Sequence, residues 1–316
     1  MFAASKAICE TCGHEIVTLA GAGHQARIIP ANGFNLFDWT FEGQRILMEF
    51  DDINAFGTKY GIPVLFPMPN RVKDSVYRWQ GKEYTLQKRG VKVARHGLVC
   101  DEPFTVTALE ADEEKAVCAA QIEIVPGNLL YEGYPFACRL TVTYTLTAQG
   151  LRMDAHIDNL GTEQMPFGFA VHPYFTNRGD ASRCFIKAPV RRYYETDENL
   201  IPTGRILTAD AKMAVDEDFR SVESLALDTV FRGMNEDGCA QVRYDDLLLS
   251  IRSSDCFRNA VIFTPKTRPG FCFEPQTCAT NYMNLHAQGL VDESGLLVLP
   301  AGKGFDCHVT YTIQKL

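Results

Sequence analysis

The 316-residue sequence is 46% hydrophobic and 22% charged with a formal net charge of -8, a composition that excludes disordered, fibrous and membrane-embedded classes and indicates a soluble globular protein. The acidic balance argues against phosphate-backbone binding, which needs clustered Lys and Arg, so no nucleic-acid partner is expected. No apolar run reaches membrane-spanning length, and Glu10 stands where a secretory core would continue, so no membrane association is expected and the expected location is the cytoplasm.

Eleven cysteines are scattered irregularly from Cys9 to Cys307, which fits reduced, mostly buried thiols rather than a disulfide framework. Cys9-x-x-Cys12 followed by His14 looks like half a zinc site, but structural zinc takes four ligands and no second matched pair is present. The stretch reads as a short pre-strand segment, and no metal is expected. A strand follows at residues 15–20. Gly21-Ala22-Gly23-His24-Gln25-Ala26 then matches the spacing of a dinucleotide fingerprint. That motif works by leading into a helix whose N-terminus holds pyrophosphate, whereas Pro30 and Gly33 would break such a helix in its first turns. The segment therefore reads as a β-turn into a second strand at 26–30, and no nucleotide cofactor is expected.

Further strand-like runs stand at 45–50, 76–86, 105–109 and 116–125, punctuated by Gly, Pro, Asn and Asp. The clearest pattern is Phe136, Cys138, Leu140, Val142, Tyr144 and Leu146 alternating with polar or small neighbours. Period two means a half-buried strand. After Gln149-Gly150 the phase restarts with Leu151, Met153, Ala155 and Ile157, the second arm of an antiparallel hairpin. Residues 209–227 are the best helix candidate, although acids interrupt the period and a long loop with one or two turns fits equally. Runs at 247–252, 260–264 and 307–313 complete the series. Many short strands without intervening helices predict one all-β domain over residues 1–316, a sandwich of large antiparallel sheets with few short helices, whose concave face would suit a polar ligand.

No Gly-x-Ser-x-Gly elbow, Walker-type loop or His-Glu-x-x-His helix is present, so the chemistry is sought in histidine and carboxylates. His172 follows the apolar residues 167–171 and precedes Pro173, which disfavours helical backbone before it and puts the imidazole at a strand end. It is either a held proton donor or a core histidine satisfied by backbone. Glu274 ends the apolar residues 270–273 and also precedes a proline. It is either a desolvated carboxylate tuned toward general-base range or a strand-end glutamate facing solvent. Asn70-Arg71, His96-Gly97 and Asp228 set further polar groups among turn-forming and apolar residues, and such side chains read sugar hydroxyls. Spacing alone does not show that they converge.

Taken in order, Gly61-Ile62-Pro63-Val64-Leu65-Phe66-Pro67-Met68-Pro69-Asn70-Arg71, Gly81-Lys82-Glu83-Tyr84, His96-Gly97, the alternating hairpin, His172-Pro173-Tyr174-Phe175, Asp218-Phe219-Arg220, Leu227-Asp228 and Glu274-Pro275 resemble the aldose 1-epimerase (galactose mutarotase) family. The resemblance implies a galactose-mutarotase-like β-supersandwich that acts on a free aldohexose of the glucose or galactose type without a cofactor; the sequence leaves open whether it is a monomer or homodimer. It also implies roles: Glu274 removes the anomeric proton and His172 protonates the ring oxygen, while Asn70, Arg71, His96 and Asp228 bind the sugar. After His96-Gly97 the family often carries an aromatic residue and then Pro-Trp. Here the chain reads Leu98-Val99-Cys100-Asp101-Glu102-Pro103-Phe104, which bears on the cleft wall and the preferred sugar. Two other readings fit the same pattern. One is a hexose-6-phosphate epimerase, for which Arg71, Lys73 and Arg95 would supply the charge; the other is a non-catalytic sugar-binding protein.

Overall fold

The structure is a computed structural model that describes residues 1–50, 52–53, 58–234 and 238–316. Among the described residues, antiparallel strands build three main sheets and three two-stranded ribbons. The first is a five-stranded meander of Ala3–Ile8, Glu15–Gly21, His24–Ile29, Asn35–Phe41 and Gln44–Arg45. The second has nine strands in the spatial order Thr105–Ala111, Lys115–Ile124, Cys138–Thr147, Gly150–Asn159, Gly304–Lys315, Leu247–Ser253, Cys239–Arg243, Phe185–Lys187 and Arg220–Ser221. The third runs Pro202–Thr208, Arg192–Thr196, Asp228–Arg232, Asn259–Phe263, Gly270–Gln276, Ala170–Val171 and Val64–Leu65, with Tyr174–Thr176 also paired to Gly270–Gln276. Among the described residues, helix is confined to Tyr282–Ala287, Val291–Ser294 and three single 3-10 turns.

The fold follows from where alternation sends the large apolar side chains. On the predicted hairpin, Leu140, Val142 and Tyr144 are buried while Thr141, Thr143 and Thr145 are half-buried, and the register pairs Val142 with Ala155. The three sheets then meet in one aromatic core: Phe34 lies 5.4 Å from Tyr144, Trp39 packs edge-on against Tyr311 at 6.1 Å, and Phe175 reaches Tyr311 at 6.2 Å. Each ring removes a large apolar area from water, about 1.5–3 kcal/mol per side chain before entropy is counted.

Several local expectations change. The Gly21–Gln25 fingerprint is a tight hairpin with Ala22 and Gly23 at φ 49° and 83°, the left-handed pair that joins two twisted strands, and no helix follows. Cys9, Cys12 and His14 sit in the loop between Ala3–Ile8 and Glu15–Gly21, where Cys9 N–H donates to the His14 carbonyl at 2.9 Å. The run at 76–86 is two strands around Gln80-Gly81, and the run at 45–50 supplies only Gln44–Arg45 and a lone bridge from Leu47 to Phe175. Residues 209–227 form no α-helix. Asp210 accepts from Ala214 N–H, Arg220 donates to the Ala211 and Ala214 carbonyls, and the loop ends in the Val222–Ser224 3-10 turn.

Candidate active site

The site lies on the eight-stranded sheet, and the strand Gly270–Gln276 shows how. Its side chains alternate, so Phe271 and Phe273 enter the main core while Cys272, Glu274 and Gln276 point to the other face. Ala170 pairs with Gln276 and Tyr174 pairs with Cys272, a constant register that sets His172 directly opposite Glu274. Between those pairs stand Pro173 and Pro275, which have no N–H to donate. The ladder is open there, and His172 N–H instead bonds the Pro63 carbonyl on its other side at 2.9 Å. A His-Pro and a Glu-Pro dipeptide thus hold the two side chains face to face: His172 Nε2 lies 3.3 Å from Glu274 Oε1.

A second group of loops closes over this sheet. Asn70 and His96 both take left-handed backbone, at φ 57° and 67°, and His96 N–H donates to the Asn70 carbonyl at 2.7 Å. Gly97 carries the turn against Phe66: at φ 72°, a Cβ there would sit 2.3 Å from the Phe66 carbonyl oxygen, so only glycine lets His96 approach the sheet. The Arg71 carbonyl accepts from Asn281 N–H just before the short helix Tyr282–Ala287. Its guanidinium donates to Asn70 Oδ1 at 3.1 Å and faces Asp228 Oδ2 at 3.7 Å.

All six residues singled out in the sequence line one cleft of about 470 Å³. Asn70, His172 and Glu274 are buried, Arg71 and His96 half-buried, and Asp228 exposed at the mouth. The cleft also takes in Lys59, Arg95, Cys100, Tyr174, Phe263 and Arg268. Of these, Tyr174 stood in the quoted His172-Pro173-Tyr174-Phe175 and Arg95 in the charged reading, whereas Lys59 and Arg268 come from loops with no motif. The His172 ring stacks on Tyr174 at 4.6 Å and meets His96 edge-on at 5.3 Å. Lys73, counted among the basic candidates, lines a different groove with Arg78 and Asn284. The unfamiliar stretch after Gly97 is also explained: Leu98 and Val99 are core, and Glu102 is clamped by Arg89 and Lys88, so of its polar groups only Cys100 reaches the cleft.

Burial decides the protonation of the pair. It pushes the Glu274 carboxyl well above the usual carboxylate range, with the nearby Asp228 charge adding to the effect. It pushes the His172 imidazole well below its ordinary value, helped by His96, Arg268 and Arg95. Both shifts favour the neutral forms, and the 3.3 Å between Nε2 and Oε1 is short enough for a proton to pass between the two side chains. His96, pushed down to about 3 by burial and then by Arg95 and Arg71, is neutral as well. Among the described residues, one His/Cys/acid group has ligand atoms within 4.8 Å of one another: His172, Cys272 and Glu274. Zinc would need the Cys272 thiolate, and burial holds that thiol well above its normal value.

Comparisons with known proteins agree with this picture. The chain is 28% identical over 293 residues to the uncharacterized protein YihR of Escherichia coli K12, covering 90% of this chain and 91% of that one. Its fold matches a galactose mutarotase-like protein from Clostridium acetobutylicum with a TM-score of 0.88 at 22% identity, over 100% of this chain and 99% of the other. It also matches galactose 1-epimerase from Lactobacillus acidophilus NCFM with a TM-score of 0.79 at 15% identity, over 100% and 98% of the two chains. At those identities the structural likeness establishes the fold, which is that of galactose mutarotase-like proteins. Among the described residues no helix is long and apolar enough to cross a membrane. The sequence profile described as aldose 1-epimerase matches residues 15–296, and the chain belongs to the aldose 1-epimerase family of sugar epimerases.

Proposed function

We propose that the protein interconverts the α and β anomers of an aldohexose whose anomeric hydroxyl is free, by acid–base opening and closure of the pyranose ring. The observation that carries this reading is the buried, in-register His172–Glu274 pair, 3.3 Å apart, with burial favouring the neutral form of each. With the proton on His172 and Glu274 ionised, Glu274 takes the proton of the anomeric O1. The C1–O5 bond breaks as C1=O1 forms, and His172 delivers its proton to O5. The pair ends as neutral Glu274 and neutral His172, the forms that burial favours, so the dry site supports ring opening. Rotation about C1–C2 turns the other carbonyl face toward O5, and the same steps in reverse close the ring. Asn70, the Arg71–Asp228 pair and neutral His96 hold hydroxyls, and the buried Nδ1 atoms of His96 and His172, without partners among the described residues, have hydrogen-bonding capacity to offer.

Exchange NMR tests this chemistry. Cross-peaks between the α and β anomeric protons of a free hexose are expected to grow with added protein, while a methyl glycoside, which has no O1 proton for Glu274 to remove, shows none. Exchange of the glycoside anomers, or of neither compound, would overturn the proposal.

A further inference from the structure

Gln276 is fully buried and does not line the cleft, yet it stands two residues beyond Glu274 on the same face of the strand. Its Nε2 donates to Glu274 Oε2 at 3.4 Å, while its own Oε1 is buried without a partner among the described residues. A buried amide with one atom unmet costs stability that a methionine or leucine of similar size would not. Packing therefore does not explain it. Across the sheet stand Ala170 on one side and Asn259 on the other, and Asn259 is itself occupied, its Oδ1 accepting from the Tyr194 hydroxyl at 3.1 Å. Among the described residues, the one side chain that the Gln276 amide bonds is Glu274.

The carboxyl group has two oxygens with different neighbours. Oε1 lies 3.3 Å from His172 Nε2, and Oε2 takes the Gln276 bond. With Oε2 tied, the carboxyl is restrained about its last side-chain bond, a torsion that is otherwise broad, and Oε1 stays aimed at His172 and the anomeric hydroxyl. The ionisable groups around Glu274 are His172, Tyr174, Cys272, Asp228 and Arg71, and among the described residues none of them donates to Oε2. The bond also changes strength during the reaction. An N–H group bonds a carboxylate roughly twice as strongly as a neutral acceptor. At 3.4 Å the contact is long for a charged acceptor, which fits the neutral carboxyl that burial favours, and it tightens once Glu274 is ionised and ready to take the O1 proton.

We infer that Gln276 is a positioning residue for the base: its amide holds Glu274 Oε2, presents Oε1 to His172 and to the anomeric hydroxyl, and supports the carboxylate in the step that needs it. The inference rests on the anomerisation reading for the reaction it serves.

Gln276→Met keeps the side-chain length and removes both the donor and the unmet oxygen. The kcat for anomer exchange is expected to fall about tenfold, with KM within about twofold of the unsubstituted value because Gln276 does not line the cleft. The melting temperature at pH 5 is expected to be no lower. Burial raises the Glu274 carboxyl and the Gln276 bond opposes that rise, so the alkaline limb of the activity profile moves to higher pH in the variant. A side chain that served packing alone would lower the melting temperature and leave the limb in place. An unchanged kcat or an unmoved limb would overturn the inference. Carboxyl-carbon NMR of protein carrying 13C-labelled glutamate, with the Glu274 signal assigned by its loss in Glu274→Gln, gives a readout that needs no substrate. The Glu274 midpoint is expected to be higher in Gln276→Met than in the unsubstituted protein, and equal midpoints would refute the contact. In the unsubstituted protein the Gln276 amide protons are expected to move downfield as Glu274 ionises, a test that stands even where the variant fails to fold, and amide signals indifferent to that titration would refute the contact too. Absence of anomer exchange in the unsubstituted protein would instead count against the anomerisation reading, with the NMR titrations still deciding the role of Gln276.

Discussion

Glu274→Gln is expected to lower kcat for anomer interconversion by about 10³-fold and, at the same time, to raise the melting temperature at pH 8. The first effect follows from removing the group that accepts the O1 proton, since a carboxamide of the same shape has no basicity to offer. The second follows from burial. The folded carboxyl titrates well above the ordinary value of 4.5, so the native state binds a proton that the unfolded chain has released. The stability tied to that proton is fully present below the ordinary carboxylate value and is lost as pH rises toward the raised one. Glutamine is neutral at every pH and escapes the loss. A gain in melting temperature is therefore expected at pH 8 and little change at pH 4.5. Thermal unfolding at both pH values checks this. A melting temperature that falls on substitution, or a difference that does not widen with pH, would mean that Glu274 is ionised in the resting fold.

The second large effect is at the acid. His172→Gln is expected to reduce kcat by about 10²-fold to 10³-fold and to change the shape of the pH profile rather than merely its height. In the unsubstituted protein the pair works while it holds one proton. Activity falls on the acid side as His172 takes up a second proton, below the ordinary imidazole value of 6.5, and on the alkaline side as Glu274 loses the last one, above the ordinary carboxylate value of 4.5. Without His172 the residual reaction depends on ionised Glu274 alone, and water protonates O5. Residual kcat/KM should therefore rise with pH in a single step. A residual rate that declines with rising pH would assign the base role to another group.

Sequence reading reached the class of fold and the two facing side chains, but by different routes. The hairpin at 138–157 was legible because one face of its sheet is dry and the other wetter, so period two shows directly. Gly270–Gln276 carries the site yet reads only as an apolar run, because it is buried on both faces and Cys272 interrupts the polar alternation. The signal that locates the site lies in the prolines. Pro173 and Pro275 open the ladder on either side of the facing His172–Glu274 pair, and each directly follows one member of it. Residues 209–227 mislead for the opposite reason: local acids cap turns there, and Arg220, not helical periodicity, fixes the path. Arg268 and Lys59 were invisible because their place in the cleft comes from tertiary packing against Tyr174 and Thr58, which no local pattern encodes. Lys73, named beside Arg71 and Arg95 in the sequence, lines a separate groove with Arg78 and Asn284.

Polarimetry tests the central claim most directly. Freshly dissolved α-D-glucose, α-D-galactose and α-D-glucose 6-phosphate are followed to equilibrium rotation with the protein, with Glu274→Gln, and in buffer alone. Catalysis by the His172–Glu274 pair predicts first-order relaxation accelerated in proportion to protein concentration for at least one of these sugars, with Glu274→Gln close to the blank. Relaxation no faster than the blank for all three, or equal acceleration by Glu274→Gln, would contradict it.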